Sequence, residues 1–123
     1  MRPDAIRVLV VDDNPDSADI LVETVRLLGH VAEMAHDGPT ALALAARFQP
    51  AVALLDLGLP VMDGYELARH LRALPGLTAV RLVAVTGRGQ EEDLRQSQAA
   101  GFERHLVKPI HLRDLERLLA LRL

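Results

Sequence analysis

A (βα)5 fold, an α/β doubly wound five-stranded parallel sheet, is predicted by three features of this 123-residue sequence. Five strand-sized apolar runs, most with β-branched residues, fall at 6–11, 31–35, 51–55, 80–85 and 105–107. The segments between and after them carry apolar residues at helical spacing. The runs are apolar nearly throughout rather than alternating, which is the pattern of strands buried on both faces and so of a parallel sheet with helices on each side.

The elements follow in order. After the run at 6–11, Asn14-Pro15 supplies an N-cap and a proline at the first helical position. Ala18, Leu21, Val25 and Leu28 then form one apolar stripe, and Gly29 stands where a helix end favours a left-handed residue. The run at 31–35 leads to 38–48, which is rich in Ala and is read as a helix on propensity. The run at 51–55 is followed by Asp63-Gly64, a turn and helix cap, and by Leu67, Leu71 and Leu74 on one helical face, with Met62 assigned to the core. Beyond 80–85, the Gln-rich stretch 91–100 is also read as a helix, with Gly101 at its C-terminal end. The run at 105–107 precedes a last helix carrying Leu112, Leu115 and Leu119. There is no internal repeat, low-complexity tract or linker, so a single domain over 1–123 is expected.

Composition removes several classes of function. Hydrophobic residues make up 50% and charged residues 25%, which is globular usage and argues against disorder. Aromatic residues are 2%, too few for a base-stacking platform. The net charge of −3 provides no positive field toward phosphate backbones, and the basic residues show no stripe, so they are read as solvated faces and direct nucleic-acid binding is not expected. The absence of Cys excludes disulfides, a thiol nucleophile and Cys-ligated metals. The five histidines, at 30, 36, 70, 105 and 111, have no zinc-ligand spacing. The longest stretch without a charged residue is nine residues, 38–46, far below the ~20 that span a bilayer. With no secretion-like leader, a cytoplasmic location and no membrane partner are expected. In the last helix Leu115, Leu118, Leu119, Leu121 and Leu123 exceed one stripe, which suits either a partner surface or a fraying end, and leaves oligomeric state open.

Open parallel sheets bind ligands beyond the carboxyl ends of their strands, where the strand order reverses. The residues there are Asp12 and Asp13 after the first strand, Asp56 after the third, Thr86 after the fourth and Lys108 after the fifth. Each has a plain reading: loop acids leading into a helix, a turn acid before Gly58 and Pro60, a turn or cap threonine, a solvated lysine. Each also has a functional one. Adjacent carboxylates repel, and a hard divalent cation with oxygen ligands relieves that repulsion. An acid ending the buried run Val52 to Leu55 is costly without a partner. Lys108 precedes Pro109, and an X–Pro bond in the cis form would turn the lysine inward.

Taken in order, Asp12-Asp13, Asp56 with Gly58, Pro60, Met62, Asp63 and Gly64, Thr86-Gly87 and Lys108-Pro109 make the chain resemble a response-regulator receiver domain over essentially its whole length. The resemblance implies strand order 2-1-3-4-5. It implies that Asp56 is the phosphoacceptor, a nucleophile toward the phosphohistidine of a sensor histidine kinase or histidine phosphotransfer protein. It implies Mg2+ as cofactor, held by Asp13, Asp56 and the Gly58 carbonyl directly and by Asp12 through water. Lys108 would neutralise the phosphoryl group, and Thr86 would donate its hydroxyl and act as a switch toward a downstream protein target. The family usually carries an aromatic residue three positions before the lysine; here that position is His105, a departure that calls the usual aromatic readout into question, and an imidazole there could make the switch pH-sensitive. Gly58 would open the site to water and Arg88 would screen it. Phrases such as Gly58-Leu59-Pro60 and Thr86-Gly87-Arg88-Gly89-Gln90 are similar to receivers attached to hybrid histidine kinases.

Two rivals stand beside this expectation. A Mg2+-dependent phosphohydrolase also uses an Asp nucleophile at a strand end, but needs a cap and a second acid/base for which 123 residues leave little room. A receiver-fold interaction module that is never phosphorylated would not require the intact set of acids and lysine.

Overall fold

The computed structural model describes residues 5–87 and 99–120. They form a five-stranded sheet flanked by helices: β1 (Arg7–Val11), α1 (Pro15–Leu27), β2 (Val31–Ala35), α2 (Gly38–Phe48), β3 (Val52–Asp56), α3 (Gly64–Ala73), β4 (Arg81–Thr86), β5 (Phe102–Val107) and α4 (Leu112–Ala120). Every pairing is parallel, and the order is β2-β1-β3-β4-β5, as expected. The predicted helix at 91–100 falls largely outside the described residues, as does Arg88.

The period of two along each strand sorts the core into two layers. Val8, Val10, Val52, Leu54, Val83 and Val85 face α1 and α4, where they meet Ala18, Leu21, Val25, Leu115 and Leu118. Leu9, Val11, Ala53, Leu55, Leu82 and Ala84 face α2 and α3, against Ala41, Ala45, Leu67 and Leu71. Leu115, Leu118 and Leu119 are thus core residues, and only Leu112 of the described leucines in α4 is exposed. Met62 packs half-buried against the second layer. Asn14 caps α1 by accepting from the amides of Asp16 and Ser17, and Asp63 caps α3 by accepting from Glu66. Gly29 and Gly101 have φ of 93° and 94°, the left-handed conformation anticipated for them.

Two differences from the sequence reading concern the far side of the sheet. The fifth strand begins at Phe102 rather than at 105, because Glu103 and Arg104 interrupt its apolar pattern. That pattern belongs to an edge strand, which tolerates exposed charge. Arg81, read as part of a solvated face, is 9% exposed. Its guanidinium holds Glu103 at 2.9 and 2.8 Å and donates to the Leu118 carbonyl at 3.0 Å, tying β4 to β5 and α4. Replacing Arg81 by alanine leaves Glu103 and this carbonyl without their donor, and a loss of about 2–3 kcal/mol in urea unfolding is expected, less than for a fully buried pair because Glu103 is partly solvated.

Candidate functional site

With this order, β1 and β3 lie side by side while the chain leaves β1 for β2 and returns to β3, so the reversal point is at their carboxyl ends. Asp12 leaves the end of β1, and its amide donates to the Ala35 carbonyl of β2. Asp12 is 1% exposed, yet both carboxylate oxygens are engaged. Oδ1 accepts from the Asn14 amide at 3.0 Å and Oδ2 accepts from Lys108 Nζ at 2.6 Å. Asp13 is exposed. Asp56 is the last residue of β3, half-buried, with Oδ1 accepting from the Gly58 amide at 2.8 Å. Oxygens of Asp12, Asp13 and Asp56 lie within 4.8 Å of one another.

Lys108 reaches this cluster from the loop after β5. Its amide donates to the Thr86 carbonyl at 2.7 Å, continuing the β4–β5 ladder, and its Nζ sits 2.6 Å from Asp12 and 4.0 Å from Asp56. The Lys108–Pro109 bond is cis. Thr86 ends β4, fully buried, with its hydroxyl 3.0 Å from His105 Nε2 on β5. The structure therefore brings Asp12, Asp13, Asp56, Gly58, Thr86, His105 and Lys108 to one end of the sheet, while Asp63 caps α3.

Asp12 and Asp56 differ in electrostatics. Burial opposes the Asp12 charge, but the Lys108 hydrogen bond, the Asn14 amide and Ser17 outweigh it and hold Asp12 below the ordinary carboxylate range. Asp56 is pushed up, first by burial and then by the charges of Asp12 and Asp13, against which the Gly58 amide and the more distant Lys108 do not suffice. Among the described residues Lys108 is the ammonium beside this cluster, paired with Asp12 and 4.0 Å from Asp56. An oxygen-rich cluster of this kind fits a hard divalent cation.

Several supporting residues escaped the sequence reading. His36, set beside β1 by following β2, places Nδ1 3.0 Å from the Asp12 carbonyl. Its signal was positional: it occupies a strand end once β2 is known to neighbour β1. Gly64 is more than a cap neighbour, since a Cβ there would lie 2.8 Å from Leu57 Cα and 2.9 Å from the Asp56 carbonyl oxygen. Gly64→Ala is expected to cost about 1–3 kcal/mol in urea unfolding, and to weaken binding of a divalent cation because the segment just after Asp56 must move. Val61 carries φ of 70° with 97% exposure, in a three-residue turn closed by the Met62 amide on the Pro60 carbonyl at 2.7 Å. Such a conformation is strained for a β-branched residue. Val61→Gly should therefore raise stability by about 1 kcal/mol, read from the urea midpoint.

Comparison with known proteins gives the following. The family model for "Response regulator receiver domain" matches residues 8–120. The chain is 32% identical over 114 residues to the DNA-binding dual master transcriptional regulator RpaA of Synechocystis, aligning 93% of this chain with 46% of that one. It is 34% identical over 117 residues to the sensor histidine kinase RcsC of Salmonella typhi, aligning 95% of this chain with 12% of that one. Among solved structures, the receiver domain of sensor histidine kinase PA1611 from Pseudomonas aeruginosa, crystallised with a magnesium ion coordinated in its active site cleft, superimposes with a TM-score of 0.82 at 31% identity, covering 94% of each chain. This chain thus spans less than half the length of either curated relative.

Proposed function

The chain belongs to the response regulator receiver domain family of two-component signalling, and from that premise we propose that Asp56 is its phosphoacceptor, serviced by Lys108, Thr86 and an acidic Mg2+ site. The observation that carries this reading is the convergence of three carboxylates within 4.8 Å, with Lys108 4.0 Å from Asp56, at the reversal point of the sheet.

A carboxylate oxygen of Asp56 attacks the phosphorus of a phosphohistidine. The N–P bond breaks, its electron pair returning to the imidazole nitrogen of the donor, and an acyl phosphate forms on Asp56. Asp13, Asp56 and the Gly58 carbonyl would hold Mg2+, with Asp12 reaching it through water, and the ion would supply positive charge against the phosphoryl oxygens. Lys108 swings the remaining distance from Asp12 to the incoming group and acts as a point charge. Thr86 donates its hydroxyl to a phosphoryl oxygen, and the resulting movement of Thr86 biases a surface that contacts a downstream protein.

A protein donor suits the surroundings. An apolar groove of about 490 Å3 runs beside Lys108, lined by Ile20, Leu21, Pro109 and Ile110, and Ile20 is 65% exposed. The proposed partners are a sensor histidine kinase or histidine phosphotransfer protein, met in the cytoplasm. Relatives include both a transcriptional regulator and a sensor kinase, and among the described residues no helix is long and apolar enough to cross a membrane.

The reading is tested with a purified histidine phosphotransfer domain carrying radiolabelled phosphate, and with p-nitrophenyl phosphate. Label moving to the wild-type chain and not to Asp56→Asn, without multiple turnover of the free ester, is the expected result. Sustained ester turnover would assign the site to a hydrolase instead. No label from any phosphotransfer domain, with divalent cation bound, would favour the module that is never phosphorylated.

A further inference from the structure

Thr86 is held from two directions. Its carbonyl accepts from the Lys108 amide at 2.7 Å, and its hydroxyl lies 3.0 Å from His105 Nε2. The strand register explains the second contact. His105 pairs with Ala84 and Thr86 with Val107, so His105 and Thr86 are diagonal neighbours on one face of the β4–β5 ladder. Thr86 is fully buried, so water cannot substitute for a lost partner.

A threonine hydroxyl has one proton to give. With the imidazole proton on Nδ1, Nε2 is the acceptor, and the proton that the Thr86 hydroxyl gives it is not available to a phosphoryl oxygen on Asp56. An apolar ring at this position would leave the hydroxyl uncommitted, whereas an imidazole in this tautomer commits it. We propose that His105, as the Nδ1–H tautomer, is a positioning residue that latches the Thr86 hydroxyl in the unphosphorylated protein, so that the phosphoryl group on Asp56 must displace this hydrogen bond to draw Thr86 in. The inference rests on the phosphoacceptor reading of Asp56 and adds an element of control to it. A neutral hydrogen bond contributes about 1 kcal/mol net, which converts to about a fivefold bias against the phosphorylated arrangement.

Beryllofluoride with Mg2+ serves as the probe, a phosphoryl mimic that binds without covalent turnover. Its affinity is measured by calorimetry on the wild type, His105→Phe, His105→Gln, Thr86→Val and the double variant Thr86→Val/His105→Phe. Phe removes the hydrogen-bonding nitrogen, and Gln places a polar atom near the position of Nε2. Affinity about fivefold tighter in His105→Phe, close to wild type in His105→Gln, and insensitive to the His105 change in the Thr86→Val background is the predicted pattern. Equal affinity in wild type and His105→Phe, or the same gain with and without the Thr86 hydroxyl, overturns the latch. A second readout needs no substitution: the Nε2 nitrogen resonance of His105 should shift when beryllofluoride is added to the Mg2+-loaded wild type, and an unchanged resonance with bound probe also overturns it. Failure of wild type to bind beryllofluoride while binding Mg2+ would strike the phosphoacceptor reading itself, and the latch would fall with it.

Discussion

Replacing Lys108 by methionine is expected to lower phosphoryl incorporation at Asp56 by about 100-fold or more, the scale of losing one preorganised positive group from a transition state where charge accumulates. It should also destabilise the fold by about 3 kcal/mol in the absence of divalent cation. The second effect arises at Asp12 rather than Asp56. Asp12 is 1% exposed and its Oδ2 relies on Lys108 Nζ at 2.6 Å, so truncating the lysine strands a buried charge. The pH dependence follows from the lowered Asp12 value. A depressed carboxylate contributes stability that is present above its unfolded value, about 3.9, and is lost as pH falls through the lower folded value. Chemical denaturation of Lys108→Met across the acid range should therefore show a shallower loss than wild type. An unchanged acid limb would mean that Asp12 draws its stabilisation from the Asn14 amide and Ser17 alone.

The second large effect belongs to Asp56 and has the opposite sign. Its folded value is raised by burial and by the nearby carboxylates, so its contribution is fully present below the unfolded value and is lost as pH rises through the raised folded value. At neutral pH the charged form is a liability, and Asp56→Asn should melt higher than wild type in chelator. Divalent cation should reverse the ranking. Ligand at 100 times its Kd stabilises the native state by about 2.7 kcal/mol, and the wild type should gain this in Mg2+, while Asp56→Asn at the same concentration gains less than half. Thermal melts of both proteins in chelator and in Mg2+ check the crossing. Parallel shifts in the two proteins would remove Asp56 from the metal site.

The parts legible from sequence were those set by local pattern or strand-end position. The buried strands β1, β3 and β4 announce themselves as apolar runs, and Asp12, Asp56 and Thr86 lie just past those runs, as Lys108 lies just past the short run that ends β5. What stayed hidden depends on contacts between distant segments. The first residues of β5 were missed because Glu103 and Arg104 break its apolar pattern, and the partner of Glu103 is Arg81, a pairing across 22 residues that no local pattern shows. The Gly64 approach to Asp56 and the left-handed Val61 belong to a loop whose path is set by packing. The resemblance implies a role for Lys108 toward a phosphoryl group on Asp56; that its ammonium lies nearer Asp12 (2.6 Å) than Asp56 (4.0 Å) depends on a contact between segments 96 residues apart, which no local pattern shows. The Thr86–His105 bond likewise became visible only with the β4–β5 register.

The central claim is that Asp56 accepts a phosphoryl group with the help of a divalent cation. The most direct measurement is the intact mass of the full chain after incubation with acetyl phosphate, with Mg2+ or with chelator, wild type beside Asp56→Asn. A gain of one phosphoryl group in the wild type, dependent on Mg2+ and absent from Asp56→Asn, is the predicted result. The same gain in Asp56→Asn, or a gain in wild type that survives chelation, would contradict it.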